Sequence, residues 1–189
     1  MAAGPTDPFE AGVRLAGALA AAGVPYALGG ALAYGLWGVP RATVDVDVNV
    51  FLPPGDVDRV FAALASLGIT VDEAPARAAS LRDGLVVVDY AGFRVDLFTA
   101  SIDFAWEAAR TRVTRVVDGQ PVDFLSAEAL AVFKLLFFRG KDIVDLERLV
   151  AVRSELDRAW VRAHIVAMMG PDDPRVVKWD ELVATFAAP

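Results

Sequence analysis

Two aspartates, Asp45 and Asp47, stand two positions apart in a segment, Thr43 to Leu52, that alternates polar and apolar residues. Successive side chains of a β-strand point to opposite faces, so this alternation predicts a strand with both carboxylates on one face, their Cα atoms roughly 6.5 Å apart. Two like charges at that spacing repel each other unless a cation lies between them. The pair therefore suggests ligands for a divalent metal ion; the alternative is the solvated face of an ordinary strand.

A third carboxylate, Asp96, lies in a second alternating segment, Phe93 to Phe98, which also predicts a strand. If the two strands are neighbours, Asp96 can lie beside Asp45 and Asp47. Three carboxylates can hold one or two Mg²⁺ or Mn²⁺ ions, an arrangement that activates a hydroxyl for phosphoryl transfer. We therefore predict Asp45, Asp47 and Asp96 as catalytic residues and metal ligands. The absence of cysteine and the single histidine leave only oxygen ligands for such a metal.

A glycine pair, Gly29-Gly30, lies between a short apolar run, Pro25 to Leu28, and a run of helix formers, Ala31 to Trp37. This order predicts a strand, a tight turn and a helix, and the backbone amides at such a helix start can bind the phosphates of a triphosphate. The alternative is a turn that serves packing alone. No Gly-Lys-Ser/Thr follows and the glycine spacing differs from a dinucleotide-binding fingerprint, so neither of those phosphate sites is predicted.

The composition indicates a globular protein: apolar residues make up 56 % of the 189 residues, enough for one core. The net charge of −7 argues against a surface that holds nucleic acid by general attraction, although a local basic patch is compatible with it. No apolar run is long enough for a membrane span, and the acidic, proline-containing start differs from a signal peptide. We expect a cytoplasmic protein that does not insert into membranes.

The elements around these residues divide the chain into an α/β core, residues 1–125, and a C-terminal helical region, residues 126–189. Apolar spacing and capping residues predict helices at 8–22, 31–37, 56–67, 126–139, 142–152, 157–169 and 175–186. Short strands are predicted at 25–28, 43–52, 69–71, 84–89, 93–98, 112–117 and 120–124, and a loop between 72 and 83. The expected fold is α/β (α+β), a small mixed sheet flanked by helices, with a C-terminal helical bundle.

The motifs follow one another in a defined order: Gly29-Gly30, Arg41-Ala42-Thr43, Asp45-Val46-Asp47, and later Lys134 and Lys141-Asp142-Ile143-Val144-Asp145-Leu146. This order resembles the polymerase-beta-like nucleotidyltransferase superfamily, most closely its minimal AbiEii-like and MenT-like branch, known from toxin–antitoxin systems. The resemblance covers residues 24–150. Many members have serine as the second residue of the glycine pair, where this chain has Gly30.

The resemblance implies a metal-dependent enzyme that transfers a nucleoside monophosphate from a nucleoside triphosphate to an acceptor hydroxyl and releases pyrophosphate. Asp45 and Asp47 would bind the metal and the triphosphate, and Asp96 would assist a second metal and act as base. The implied acceptor is tRNA or protein, with a cognate antitoxin as a possible partner. The alternatives are an antibiotic or other small molecule as acceptor, and a non-catalytic module that keeps the fold for binding.

Further residues are predicted to bind substrate: Gly29, Gly30, Arg41, Thr43, Lys134, Lys141, Asp142 and Asp145. Lys134 stands in an apolar segment where a surface lysine is unexpected, and Lys141 would share its face if one helix continued through both. Asp142 and Asp145 could equally cap a helix and pair with Arg148.

Overall fold

The computed structural model describes residues 4–186, and within that range the chain forms six strands and nine helices. The strands are β1 (Tyr26–Leu28), β2 (Asp45–Val50), β3 (Leu85–Tyr90), β4 (Phe93–Thr99), β5 (Val113–Val117) and β6 (Gln120–Phe124). The helices are α1 (Pro8–Ala21), α2 (Gly30–Trp37), α3 (Asp58–Ser66), α4 (Glu73–Asp83), α5 (Phe104–Thr111), α6 (Ala127–Phe137), α7 (Gly140–Val152), α8 (Arg158–Met169) and α9 (Pro174–Thr185). The predicted fold class, a small mixed sheet with helices around it, is confirmed.

The six strands form one sheet in the order β3-β4-β2-β1-β6-β5. Two pairings join distant parts of the chain, β2 with β4 and β1 with β6, and both are parallel. The remaining pairings are antiparallel. The strand with the paired aspartates thus lies between the strand that leads into the glycine turn and the strand that bears Asp96.

One face of the sheet is apolar and covered by α1. Val46 and Val48 of β2 are fully buried, as are Leu15 and Leu19 of α1. Gly12 lies so close to this face that a Cβ atom there would be 3.6 Å from a methyl group of Val46. Since side chains alternate along a strand, Asp45 and Asp47 project from the opposite face.

The chain divides into two compact units. One holds the residues up to Leu32 together with Arg41–Leu125, and it contains the whole sheet. The other holds Ala33–Pro40 together with the residues from Ser126 onward, and it contains α6 to α9. The predicted carboxylates and the glycine turn belong to the first unit, whereas Lys134, Lys141 and the two aspartates near them belong to the second.

Two local predictions in the sheet unit are wrong, and one helix was missed. Residues 73–83 form α4 within the segment predicted as a loop, and residues 69–71 form no strand; α5 was not predicted. The polar residues and Pro75 suggested a loop, but Pro75 falls in the first turn of α4, where a missing N–H costs nothing. Gly84 then ends the helix in the left-handed conformation, with φ of 68°.

A break between α6 and α7 agrees with the two helices predicted at 126–139 and 142–152, and it excludes the single continuous helix on which Lys134 and Lys141 would share a face. Phe138 ends α6 with a left-handed backbone, φ 53°, and Gly140 begins α7. That conformation is unfavourable for a bulky side chain, and the phenyl ring is held beneath the Arg175 guanidinium, 5.5 Å from its centre. Lys141 is consequently exposed at the start of α7, and Lys134 is buried in α6.

Among the helices of residues 4–186, none is both long and apolar enough to cross a membrane. The cytoplasmic location stays a prediction.

Candidate active site

The register between β2 and β4 brings the three predicted carboxylates together on one face of the sheet. Asp47 and Asp96 are direct partners in the parallel pairing, and Asp45 is opposite Arg94. Partners in neighbouring strands lie about 4.8 Å apart and project to the same side. Asp45 follows the same alternation as Asp47, so all three side chains leave the face opposite α1.

The glycine turn lies on the other side of Asp47. The Gly29 amide donates a 2.8 Å hydrogen bond to the Asp47 carbonyl, which fixes the turn against β2. Gly30, the first residue of α2, has φ of 50°, and a Cβ atom there would be 1.7 Å from Oδ2 of Asp47. The Asp47 carboxylate therefore occupies the space where any side chain at position 30 would begin.

Asn49, two residues beyond Asp47, packs against the other glycine of the turn. A Cβ atom at Gly29 would be 2.7 Å from Nδ2 of Asn49, which is 8 % exposed. Sequence reasoning assigned no role to Asn49, although the alternation along β2 places it on the same strand face as the two aspartates. Both glycines are thus required because polar side chains of β2 fill the space above the turn.

Thr43 and Arg41 precede the aspartate strand. The Thr43 hydroxyl accepts a hydrogen bond from the Asp45 amide and donates one to the Asp45 carbonyl, at 3.2 and 3.1 Å. These bonds fix the backbone where β2 begins and so orient Asp45. The Arg41 guanidinium, half-buried, contacts the Ala42 carbonyl at 3.4 Å.

Arg94 supplies positive charge to the three carboxylates. Its Nε donates to Oδ1 of Asp96 at 2.8 Å, and a second nitrogen lies 3.4 Å from Oδ2. The pKa of Arg94 is raised above its usual value, first by this hydrogen bond and the charge of Asp96 and then by the charges of Asp45 and Asp47. The guanidinium therefore lies within the field of all three acids. Sequence reasoning gave Arg94 no role, although its position two residues before Asp96 places both on one face.

The predicted lysine and the two later aspartates form a buried cluster in the C-terminal unit. Nζ of Lys134 lies 2.6 Å from Asp145 and 3.6 Å from Asp142, and it stands 5.2 Å from the centre of the Tyr34 ring. All three charged residues are at most 3 % exposed. Asp142 also accepts hydrogen bonds from the backbone and guanidinium of Arg139, which caps α7. Lys134 thus pairs with both aspartates and Arg139 with Asp142, and no ion pair with Arg148 is found for either aspartate among residues 4–186.

No protein-family model matches the sequence, and no curated protein does. The solution structure of the antibiotic-resistance factor ANT(2'')-Ia matches with a TM-score of 0.53 and 19 % identity, over 92 % of this chain and 88 % of that one. The crystal structure of ANT(2'')-Ia with adenylyl-2''-tobramycin matches with the same TM-score and 16 % identity, over 95 % and 98 % of the two chains.

The chain has the nucleotidyltransferase fold. At these identities the similarity establishes the fold alone. A nucleotidyltransferase-like protein from Paracoccidioides brasiliensis also matches, with a TM-score of 0.48 and 17 % identity, over 93 % of this chain and 94 % of that one.

The donor set on this nucleotidyltransferase fold fits a divalent cation in its chemistry. Three half-buried carboxylates share one face, and a guanidinium already neutralises part of their charge. Within residues 4–186, however, no three acidic or histidine side chains stand close enough to hold a metal as they are. Asp96 is turned to Arg94, so a cation that used Asp96 would need this carboxylate to leave its ion pair.

The contact between Gly30 and Asp47 leads to a stability prediction for the glycine turn. Gly30→Ala is expected to lower the free energy of unfolding by about 1–2 kcal/mol, because the backbone is left-handed and the new Cβ displaces the Asp47 carboxylate. Gly35→Ala in the same helix is the matched control: the space around Gly35 is open, so this variant should gain up to about 1 kcal/mol. Urea denaturation of both variants measures the difference, and equal midpoints would contradict the prediction.

Proposed function

We propose that this protein is a metal-dependent nucleotidyltransferase, which moves a nucleoside monophosphate from a nucleoside triphosphate to an acceptor hydroxyl and releases pyrophosphate. The observation that carries the proposal is the position of Asp47 between the glycine turn and Asp96. A turn that presents amides to phosphates and a face that presents carboxylates to a cation meet at this residue. Transfer of a phosphoryl group requires both.

Asp45, Asp47 and Asp96 would hold Mg²⁺ or Mn²⁺. When bound, the cation would neutralise the triphosphate and lower the pKa of the acceptor hydroxyl. Asp96 takes the hydroxyl proton as the oxygen forms a bond to the α-phosphorus. The bond from that phosphorus to the bridging oxygen breaks, and pyrophosphate leaves. The Gly30 amide at the start of α2 binds a phosphate oxygen during this step, while Gly29, whose amide donates to the Asp47 carbonyl, holds the turn in position.

The other predicted residues take supporting roles in this proposal. Thr43 orients Asp45 through its backbone, and Arg41, ahead of the aspartate strand, attracts phosphate or acceptor. Phosphate binding by Lys134 and Lys141 and a substrate-orienting role of Asp142 and Asp145 stay predictions. In the C-terminal unit, Lys134 pairs with Asp142 and Asp145. These buried ion pairs also support a structural role for Lys134.

The acceptor proposed first is tRNA or protein, as the AbiEii-like and MenT-like motif order implies. On this reading the chain is the toxin of a toxin–antitoxin pair, and its cognate antitoxin is a further partner. The motifs that support it are Gly29-Gly30, Arg41-x-Thr43 and the Lys141-Asp142-x-x-Asp145-Leu146 segment.

A small molecule is the second candidate for the acceptor. Two observations favour it: the fold neighbour ANT(2'')-Ia was solved with adenylyl-2''-tobramycin, and the net charge of this chain is −7. An acidic protein repels a polyanion such as tRNA unless a local basic patch compensates, whereas it does not repel a neutral or cationic small molecule.

Label transfer tests the function and separates the acceptors. The protein is incubated with Mg²⁺ and each of the four α-³²P-labelled nucleoside triphosphates, together with tRNA, a cell protein extract or tobramycin. We expect label on one acceptor class, with pyrophosphate released in equal amount. No transfer to any acceptor, together with no binding of Mn²⁺ and triphosphate, would instead indicate a non-catalytic module that keeps the fold.

A further inference from the structure

We propose that Arg94 is a built-in counter-cation, which holds Asp96 in the metal-free protein and must release it before a divalent cation can use that carboxylate. The inference rests on the proposed function in one respect, since it takes Asp45, Asp47 and Asp96 as the metal ligands. It adds a residue that sets how readily the metal binds.

Both oxygens of Asp96 are engaged by Arg94. Nε contacts Oδ1 at 2.8 Å and a terminal nitrogen contacts Oδ2 at 3.4 Å, so the guanidinium faces the carboxylate as a fork. A metal ion would need the same lone pairs.

The position of Arg94 makes it a counter-charge for the whole acidic face. It is the register partner of Asp45, and Asp96 is the partner of Asp47, so the four side chains occupy adjacent positions on two strands. The raised pKa of Arg94, to which Asp96 contributes most and Asp45 and Asp47 contribute further, agrees with this placement. A guanidinium does not lose its proton at any ordinary pH, so the positive charge persists until the side chain moves away.

The exposure of the two side chains indicates that the ion pair between Arg94 and Asp96 can break while Asp96 stays in place. The Arg94 side chain is 55 % exposed, whereas that of Asp96 is 16 % exposed. Solvent-exposed ion pairs of this kind are weak because water screens them and two side chains lose freedom on pairing. Arg94 can therefore swing into solvent while Asp96 stays in place on β4, next to Asp47.

The test measures Mn²⁺ affinity without nucleotide, by electron paramagnetic resonance of free Mn²⁺, for wild type and Arg94→Gln. Removing a cation next to the carboxylates should tighten Mn²⁺ binding by about tenfold. Arg112→Gln is the matched control: Nε of Arg112, the residue before β5, contacts Asp123 of β6 at 2.9 Å, and the Asp123 side chain is 22 % exposed. Its Mn²⁺ affinity should equal that of wild type.

A second measurement uses wild type alone. The Nε–H resonance of Arg94 should shift when Mg²⁺ is added, since its hydrogen bond to Asp96 is lost, while that of Arg112 should not. Equal or weaker Mn²⁺ binding by Arg94→Gln, or an unchanged Arg94 resonance at saturating Mg²⁺, overturns the inference. If wild type binds Mn²⁺ in that case, the proposed metal site stands without it. If wild type and variant bind no Mn²⁺ even with triphosphate present, the proposed function fails, and the inference fails with it.

Discussion

Replacing Asp47 by asparagine is expected to reduce nucleotidyl transfer by at least about 10³-fold, because the change removes a carboxylate at the point where the glycine turn and the acidic face meet. This reduction corresponds to an increase of roughly 4 kcal/mol in the activation free energy of the transfer step. The amide has nearly the same shape as the carboxylate, so the fold should persist, with a change in the free energy of unfolding below about 1 kcal/mol. Single-turnover transfer and urea denaturation measure the two quantities.

Asp123→Asn is the matched control for this prediction. Asp123 is a half-buried carboxylate of the same sheet, but it pairs with Arg112 and Thr114 on the β5–β6 hairpin. This variant should keep its transfer rate within about twofold. Full activity of Asp47→Asn, or its loss only through unfolding, would mean that Asp47 is structural and that the chemistry lies elsewhere.

Replacing Lys134 by methionine is expected to lower the free energy of unfolding by about 3–5 kcal/mol. The change leaves Asp142 and Asp145, which are 1 % and 2 % exposed, without the ammonium that lies between them. For a chain of this length the melting temperature should fall by on the order of 10 °C. Circular dichroism during thermal and urea unfolding measures both quantities.

Two further variants show whether the loss comes from the buried charge. Lys178→Met removes an exposed lysine that pairs with Glu181 at 2.8 Å, and its effect should be below about 0.5 kcal/mol. Lys134→Met combined with Asp145→Asn should be more stable than Lys134→Met alone, since one uncompensated carboxylate is removed. Lys134→Met with unchanged stability but slow transfer would instead support the phosphate-binding role predicted from the sequence.

The strands and the turn that carry the site could be predicted because the local residue pattern is sufficient to indicate their conformation. Strict alternation around Asp45 and Asp47 is compatible with a strand and with little else, and it fixes which side chains share a face. The glycine pair likewise predicts a turn before a helix. Alternation places Arg94 and Asp96 on one face of β4, but their ion pair depends on two side-chain conformations that no pattern specifies.

Other features depend on contacts between distant segments and could not be predicted. A helix end near residue 139 was predicted, but the left-handed backbone that Phe138 adopts beneath Arg175 was not, because a phenylalanine does not indicate that conformation. The register that makes Asp47 the partner of Asp96 arises from the packed sheet, since neither strand alone specifies its neighbour. The buried partners of Lys134 lie on the next helix, and the sequence does not specify how two successive helices pack against each other.

The two parallel pairings also govern the order in which the site is assembled. Asp47 and Asp96 are about 50 residues apart in the chain, and the β1–β6 pairing joins Leu28 to Phe124. Closing such long loops lowers the conformational entropy of the chain before the strand contacts can compensate for the loss. We therefore expect these pairings to form late during folding. During synthesis the glycine turn and β2 leave the ribosome well before β4. Because Asp96 comes from β4, the acidic face is complete only once β4 has paired with β2.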